Sequence, residues 1–289
     1  MKTNPSQDRP NTLDWLRSIP SQNASRLFLL DDIHGHHLTF GALHESACSA
    51  AARLLDAGFK KGDRIAFLVH NSSSLCSLYF GCLYAGIAVV PINPILATDE
   101  IDFIIRDSRA KGVIVSETTN AKLSHASLAK LGVRVVTLAE NAEISHNLKA
   151  ERWGLTGAKP PSPVNPFQGV SSADDLIIVY TSGTTTQPKG VVHRIADMMN
   201  NGRAFGQMMG IGPKNRFFNI LPMTYLGGYY NLLMLPYVCE SSVVLVAQYG
   251  SSYVTPYASS ILNNVETSPA ESSFTRALVL SVSTTAVPA

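Results

Sequence analysis

Short apolar runs recur along the chain, mostly without a polar residue at every second position. They are RIAFLV at 64–69, IAVVPI at 87–92, GVIVS at 112–116, VRVVTL at 133–138, LIIVY at 176–180 and SVVLVA at 242–247. A strand with one wet face alternates, whereas a strand covered on both faces reads as a continuous apolar run. Helical segments lie between the runs. Thr39 is placed to cap a helix whose Phe40, Leu43, Ala47, Ala50, Ala51, Leu54 and Leu55 follow the i, i+3, i+4 spacing, and Gly58 to stop it. Further helices are expected over 73–85, over 99–107 behind a Thr98 cap, and near 120–131, 193–209 and 227–238. The stretch 25–40 reads as a hairpin turning at Gly35. Strand and helix in alternation predict an α/β fold with two parallel-sheet subdomains.

The Pro- and Gly-rich stretch 150–172 reads as a surface linker between those subdomains. Residues 1–24 read as an N-terminal extension and 25–248 as the partial domain. Residues 249–289 read as an irregular Ser/Thr-rich tail without helical or strand period. Residues 71–98 and 217–239 carry no charge, but Gly86, Pro91 and Pro94 in one and Pro222, Gly227, Gly228 and Pro236 in the other break each into shorter elements. Both fit a buried helix and strand better than a membrane span. The N-terminus has no apolar signal core, so a cytoplasmic setting is expected.

Composition removes other classes. The net charge is +2 and hydrophobic residues make up 45% of the 289, which is globular and gives no basic footprint for nucleic acid. Cys48, Cys76, Cys82 and Cys239 form no CxxC pair and read as small core residues. Asp31, Asp32, His34, His36 and His37 crowd one segment, which reads as a hydrated hairpin turn rather than a metal site. Met198, Met199, Met208 and Met209 read as core filler, and His193 and Arg194 either as nucleotide contacts or as a solvated first helical turn.

The strongest chemical signal is Tyr180-Thr-Ser-Gly-Thr-Thr-Thr-Gln-Pro-Lys-Gly190. A hydroxyl-rich loop between an apolar strand and a helical run suits an anion site. Backbone amides, short hydroxyls and a helix N-terminus all donate to phosphate oxygens, and Lys189 adds a point charge. It is not a P-loop, because Lys189 is followed by Gly190 rather than Ser or Thr, and no GxGxxG follows any strand.

This segment resembles the phosphate-binding signature of the AMP-forming acyl/aryl-CoA synthetase superfamily, [ST]-[ST]-G-[ST]-[ST]-G-x-P-K-G. One departure is Thr186 in place of the second glycine, where a β-branched residue resists positive φ. Three further segments are similar to the family in order: Gly62-Asp-Arg64 running to Asn71, Ala85-Gly86 running to Pro91, Asn93 and Pro94, and Leu221-Pro-Met-Thr-Tyr-Leu-Gly-Gly228. The resemblance implies the N-terminal part of a large adenylating domain. It implies a carboxylic acid attacking ATP to give an acyl-adenylate, then thioester formation with CoA or another thiol, with Mg²⁺ assisting. Thr181, Ser182, Gly183, Thr184, Thr185 and Lys189 would hold the β- and γ-phosphates. Tyr225, Gly227 and Gly228 would border the acyl pocket.

Residues 229–289 contain no aromatic-Gly-x-Thr-Glu and no Thr-Gly-Asp, and the last lysine is Lys214. The resemblance places catalytic groups in such motifs, so independent turnover is not expected. A truncated or frameshifted ligase accounts for this pattern. The alternative is an inactive remnant or a phosphate-binding module.

Overall fold

The computed structural model describes residues 11–32, 35–138, 164–181 and 187–246. The tail 249–289, most of the linker and the loop residues Ser182–Thr186 lie outside them.

Among the described residues, ten strands form two sheets, accompanied by eight α-helices. Helix α1 (Thr12–Gln22) leads into β1 (Leu27–Asp31), β2 (His36–Thr39), α2 (Phe40–Asp56), β3 (Arg64–Leu68), α3 (Ser73–Ala85), β4 (Ala88–Pro91) and α4 (Thr98–Asp107). Then come β5 (Gly112–Ser116), α5 (Glu117–Asn120), α6 (His125–Lys130), β6 (Arg134–Leu138), β7 (Asp175–Thr181), β8 (Lys189–Arg194) and α7 (Ile195–Met209). Strand β9 (Arg216–Asn219), a π-helix (Gly227–Met234), α8 (Leu235–Val238) and β10 (Ser242–Leu245) close the described part. The larger sheet has the order β6-β5-β3-β4-β7-β8 and the smaller β2-β1-β10-β9. Each is parallel apart from one antiparallel edge strand, β8 and β2 respectively.

Sheet membership crosses the linker in both directions. Strand β7 follows the linker yet pairs with β4, and β1 precedes it yet pairs with β10. One residue anchors the linker's otherwise partly or fully exposed end. Phe167 is 2% exposed, takes φ +63° and packs 4.9 Å from Tyr84, while its amide donates to the Tyr84 carbonyl. Composition alone missed it because one aromatic anchors an otherwise polar stretch.

The period of two along β3 explains the continuous apolar runs. Ile65 and Phe67 enter the main core; Ala66 and Leu68 enter a second core under α4 and α6. Helix α3 touches both sheets, with Tyr79 5.2 Å from Phe67 in the larger and Phe80 6.2 Å from Phe28 in the smaller. Gly81 lets α3 approach α2, since a Cβ there would lie 2.7 Å from the Ala50 Cβ. Residues 12–22 of the N-terminal extension belong to this packing, as Leu13, Trp15, Leu16 and Ile19 join the main core. Among the described residues no helix is long and apolar enough to cross a membrane.

Local corrections have local causes. The expected helix near 120–131 is two short helices, because Thr119 bonds the Leu68 carbonyl and the Ser116 amide instead of continuing one spiral. The α4 N-cap is Ala97, one residue before Thr98, and Glu100 accepts from the Ala97 amide. Met198 and Met199 are buried as expected, but Met208 is 73% exposed. Asp31 is buried rather than in a hydrated turn and accepts from the Ser73 amide at the start of α3, where a carboxylate suits the helix dipole. His34 lies outside the described residues. Cys76 and Cys82 are buried, and burial pushes the half-buried thiols of Cys48 and Cys239 up to about 11, so packing is their role.

Burial also holds the Tyr79, Tyr84, Tyr229 and Tyr237 hydroxyls well above the ordinary phenol value near 10. Unfolded tyrosines would lose protons above about pH 10 while the native ones keep theirs, so stability is full below that pH and falls as pH rises past it. Urea midpoints measured from pH 8 to 11 should drop steeply above 10. Tyr229→Phe should soften that drop, and an unchanged slope would oppose the assignment for Tyr229.

Candidate functional site

Open parallel sheets place ligands at the carboxyl ends of their strands. Here Asn71 follows β3, Asn93 follows β4, and β7 ends on Thr181. The two asparagines, with Tyr79, fix the loop that follows β9. The Asn71 amide donates from Nδ2 to the Leu221 carbonyl at 2.9 Å and accepts on Oδ1 from the Met223 amide at 2.9 Å. The Tyr79 hydroxyl donates to the Met223 carbonyl at 2.7 Å. Asn93 donates from Nδ2 to the Tyr225 hydroxyl at 2.6 Å while its Oδ1 accepts from the Ile95 amide at 3.1 Å. Backbone groups of Leu221 and Met223 thus find partners in Asn71, in the loop after β3, and in Tyr79 on α3, as an irregular segment requires.

Tyr225 is held at its hydroxyl but 46% exposed, so its ring faces outward at this edge. Gly228 lies beneath the loop. A Cβ there would come within 2.4 Å of the Pro222 carbonyl oxygen and 2.6 Å of that of Leu221. Gly227 is less constrained, meeting the Leu221 Cδ1 at 2.9 Å. The Asn219 Nδ2 donates to the Gly228 carbonyl at 3.0 Å and ties β9 to the π-helix. Asn93→Ala removes the tether of Tyr225 and a partly buried turn bond. It should cost about 1–2 kcal/mol. Thermal melting checks this, and a change within 0.5 kcal/mol would show that the tether contributes little.

Thr181 and Lys189 are opposed Cα partners at the end of the β7–β8 ladder, and both are exposed. Ser182, Gly183, Thr184 and Thr185 lie outside the described residues. The segment after the loop corrects the sequence reading. Lys189–Arg194 is a strand rather than the start of a helix, and His193 and Arg194 sit on it. Val191 and Val192 pair with Val179 and Ile178, and α7 begins only at Ile195. Its first amides are already used: Ile195 donates to the Asp174 carbonyl and Ala196 to that of Ser172. Those two amides are engaged within the chain, and Lys189 is an exposed cation at the end of the ladder.

Sequence reasoning quoted Asn71 and Asn93 within motifs but gave them no role. It named no function for Tyr180 or Asp107 either, although the Tyr180 hydroxyl donates to Asp107 Oδ2 at 2.5 Å. The signal was present as residue type; the partner lay 132 residues away for Asn93 and 73 for Tyr180.

The family model of the AMP-binding enzymes matches residues 17–261. The chain belongs to that family. As an AMP-binding family member it is 27% identical over 248 residues to the sulfoacetate–CoA ligase of Cupriavidus necator, covering 84% of this chain and 47% of that protein. It is 31% identical over 189 residues to the long-chain-fatty-acid–CoA ligase FadD13 of Mycobacterium tuberculosis, covering 65% of this chain and 36% of the relative. The chain thus spans about half or less of these relatives. ATP-bound MatB from Rhodopseudomonas palustris has the same fold, with a TM-score of 0.71 at 20% identity, covering 86% of this chain and 48% of MatB.

Proposed function

We propose that this chain carries the triphosphate- and acid-binding half of an ATP-dependent carboxylate–CoA ligase. The observation that carries the reading is one strand-end edge with two parts. One is a hydroxyl-rich hairpin rimmed by Thr181 and Lys189; the other is a loop presenting Tyr225 on a fixed backbone. In this reading Thr181, Ser182, Gly183, Thr184, Thr185 and Lys189 take the β- and γ-phosphates. Tyr225, Gly227 and Gly228 border the acid. The acid would attack the α-phosphate to form an acyl-adenylate and release pyrophosphate, and a thiol would then displace AMP. Lys189 and the loop donors would offset the repulsion between carboxylate and triphosphate.

The described residues contain no group of three or more His, Cys, Asp or Glu able to hold a metal. We therefore place Mg²⁺ with the triphosphate it accompanies, and CoA as the second substrate. Free cysteines and these substrates fit a cytoplasmic setting. A second reading, binding without turnover, draws on the absence of the later motifs from residues 229–289. Mass spectrometry of the purified chain with MgATP and a panel of acids separates the two. Acyl-AMP would support catalysis by this chain. MgATP binding without acyl-AMP would support the binding half alone, and the absence of both would overturn the proposal.

A further inference from the structure

We propose that Tyr180 and Asp107 form a latch that positions the Thr181–Lys189 rim. The proposal rests on the phosphate-binding reading of this hairpin. Tyr180 is the residue before Thr181, and its cross-strand partner Gly190 is the residue after Lys189. Its hydroxyl donates to Asp107 Oδ2 at 2.5 Å, a charge-assisted bond to the last residue of α4. Burial first, and the hydrogen bond to Asp107 second, raise the Tyr180 hydroxyl well above its ordinary value.

The ring spans from that anchor to the opposite strand. A Cβ on Gly190 would lie 3.0 Å from Tyr180 Cζ and 3.1 Å from Ile178 Cγ2, so the missing side chain makes room for the phenol. Helix α4 is a firm anchor, since Ile101, Ile104 and Ile105 are buried in the second core. Arg64 braces the same region. It donates to the Ser108 carbonyl at 3.0 Å and lies 3.7 Å from Asp175 at the start of β7. Among the described residues, the edge strand β8 pairs only with β7. The latch therefore ties the root of the hairpin to the body of the sheet one residue from each rim group. Tyr180 and Asp107 are positioning residues and need not touch the nucleotide.

The test uses the full 289-residue chain. It combines MgATP titration by calorimetry with amide exchange at residues 187–194 and thermal melting. Tyr180→Phe keeps the ring over Gly190 and removes the bond; Asp107→Ala removes the acceptor. Each should weaken MgATP binding about threefold to tenfold, the size of one such bond. Each should also speed exchange at Lys189 and Gly190. The double variant should be no weaker than the singles, and Asp107→Asn, which keeps an acceptor oxygen, should recover much of the loss. Unchanged exchange in both single variants would overturn the latch whatever the nucleotide does. Additive losses with a matching fall in melting temperature would also overturn it, in favour of a merely structural contact. Lys189→Ala is the separate control: if it leaves MgATP affinity intact while Tyr180→Phe speeds exchange, the phosphate reading fails and the latch stands as an ordering device.

Discussion

Gly228→Ala should destabilise the protein by about 3 kcal/mol or more, the upper range for overpacking. The new methyl would stand 2.4 and 2.6 Å from two carbonyl oxygens of the 221–222 backbone. Those oxygens cannot swing aside as a side-chain end would. The loop is tied on its other side by Asn71, Tyr79 and Asn93. Relief therefore requires lifting the whole loop or unwinding the start of the π-helix, and either breaks hydrogen bonds. For a domain of this size, 3 kcal/mol corresponds to a fall of about 6–12 °C in melting temperature. Gly212→Ala is the matched control, since nothing lies within 4 Å of a Cβ there. It should change stability by no more than about 0.5 kcal/mol. A Gly228→Ala variant melting with the control would mean that the loop yields, and that its hydrogen bonds do not fix it.

Lys189→Ala should weaken MgATP binding by about tenfold to a hundredfold, which is ~1.4–2.8 kcal/mol. The lysine lies exposed at the end of the ladder, opposite Thr181, with β8 holding its backbone. Helix α7 starts six residues later, and the amides of Ile195 and Ala196 are already bonded to the Asp174 and Ser172 carbonyls. The loss should shrink as salt rises, because an exposed cation is screened. Lys189→Arg keeps the charge but replaces a compact ammonium with a planar fork, and should recover only part of the affinity. Calorimetric titration at two salt concentrations decides this. Equal affinity for Lys189→Ala and the parent chain would remove Lys189 from the phosphate site.

Much of the architecture follows from local pattern. The continuous apolar runs at 64–69 and 112–116 must be covered on both faces, and the structure places alternate residues of β3 in two separate cores. The Thr39 cap holds as read, its hydroxyl accepting from the Ala42 amide. Gly86 ends α3 at φ +66°, where the uncharged stretch 71–98 turns into a strand. Propensity, capping and two-fold periodicity act between near neighbours, so one sequence suffices to read them.

The site was legible as a set of segments, not as an arrangement. The sequence alone determined which residue types are available: a hydroxyl-rich loop with Lys189, two asparagines after apolar strands, and Tyr225 beside paired glycines. Only the tertiary structure decided that Asn71 and Asn93 would hold a loop more than a hundred residues away, and that Asp107 would hold Tyr180. It also decided that Val191 and Val192, just before the helix expected near 193, would form a strand that takes in His193 and Arg194 as well. Their β-branched side chains suit a strand, and the edge of β7 offers partners for their backbone groups. Long-range pairing of this kind costs loop-closure entropy and is repaid by hydrogen bonds and burial that exist only once the sheets have met.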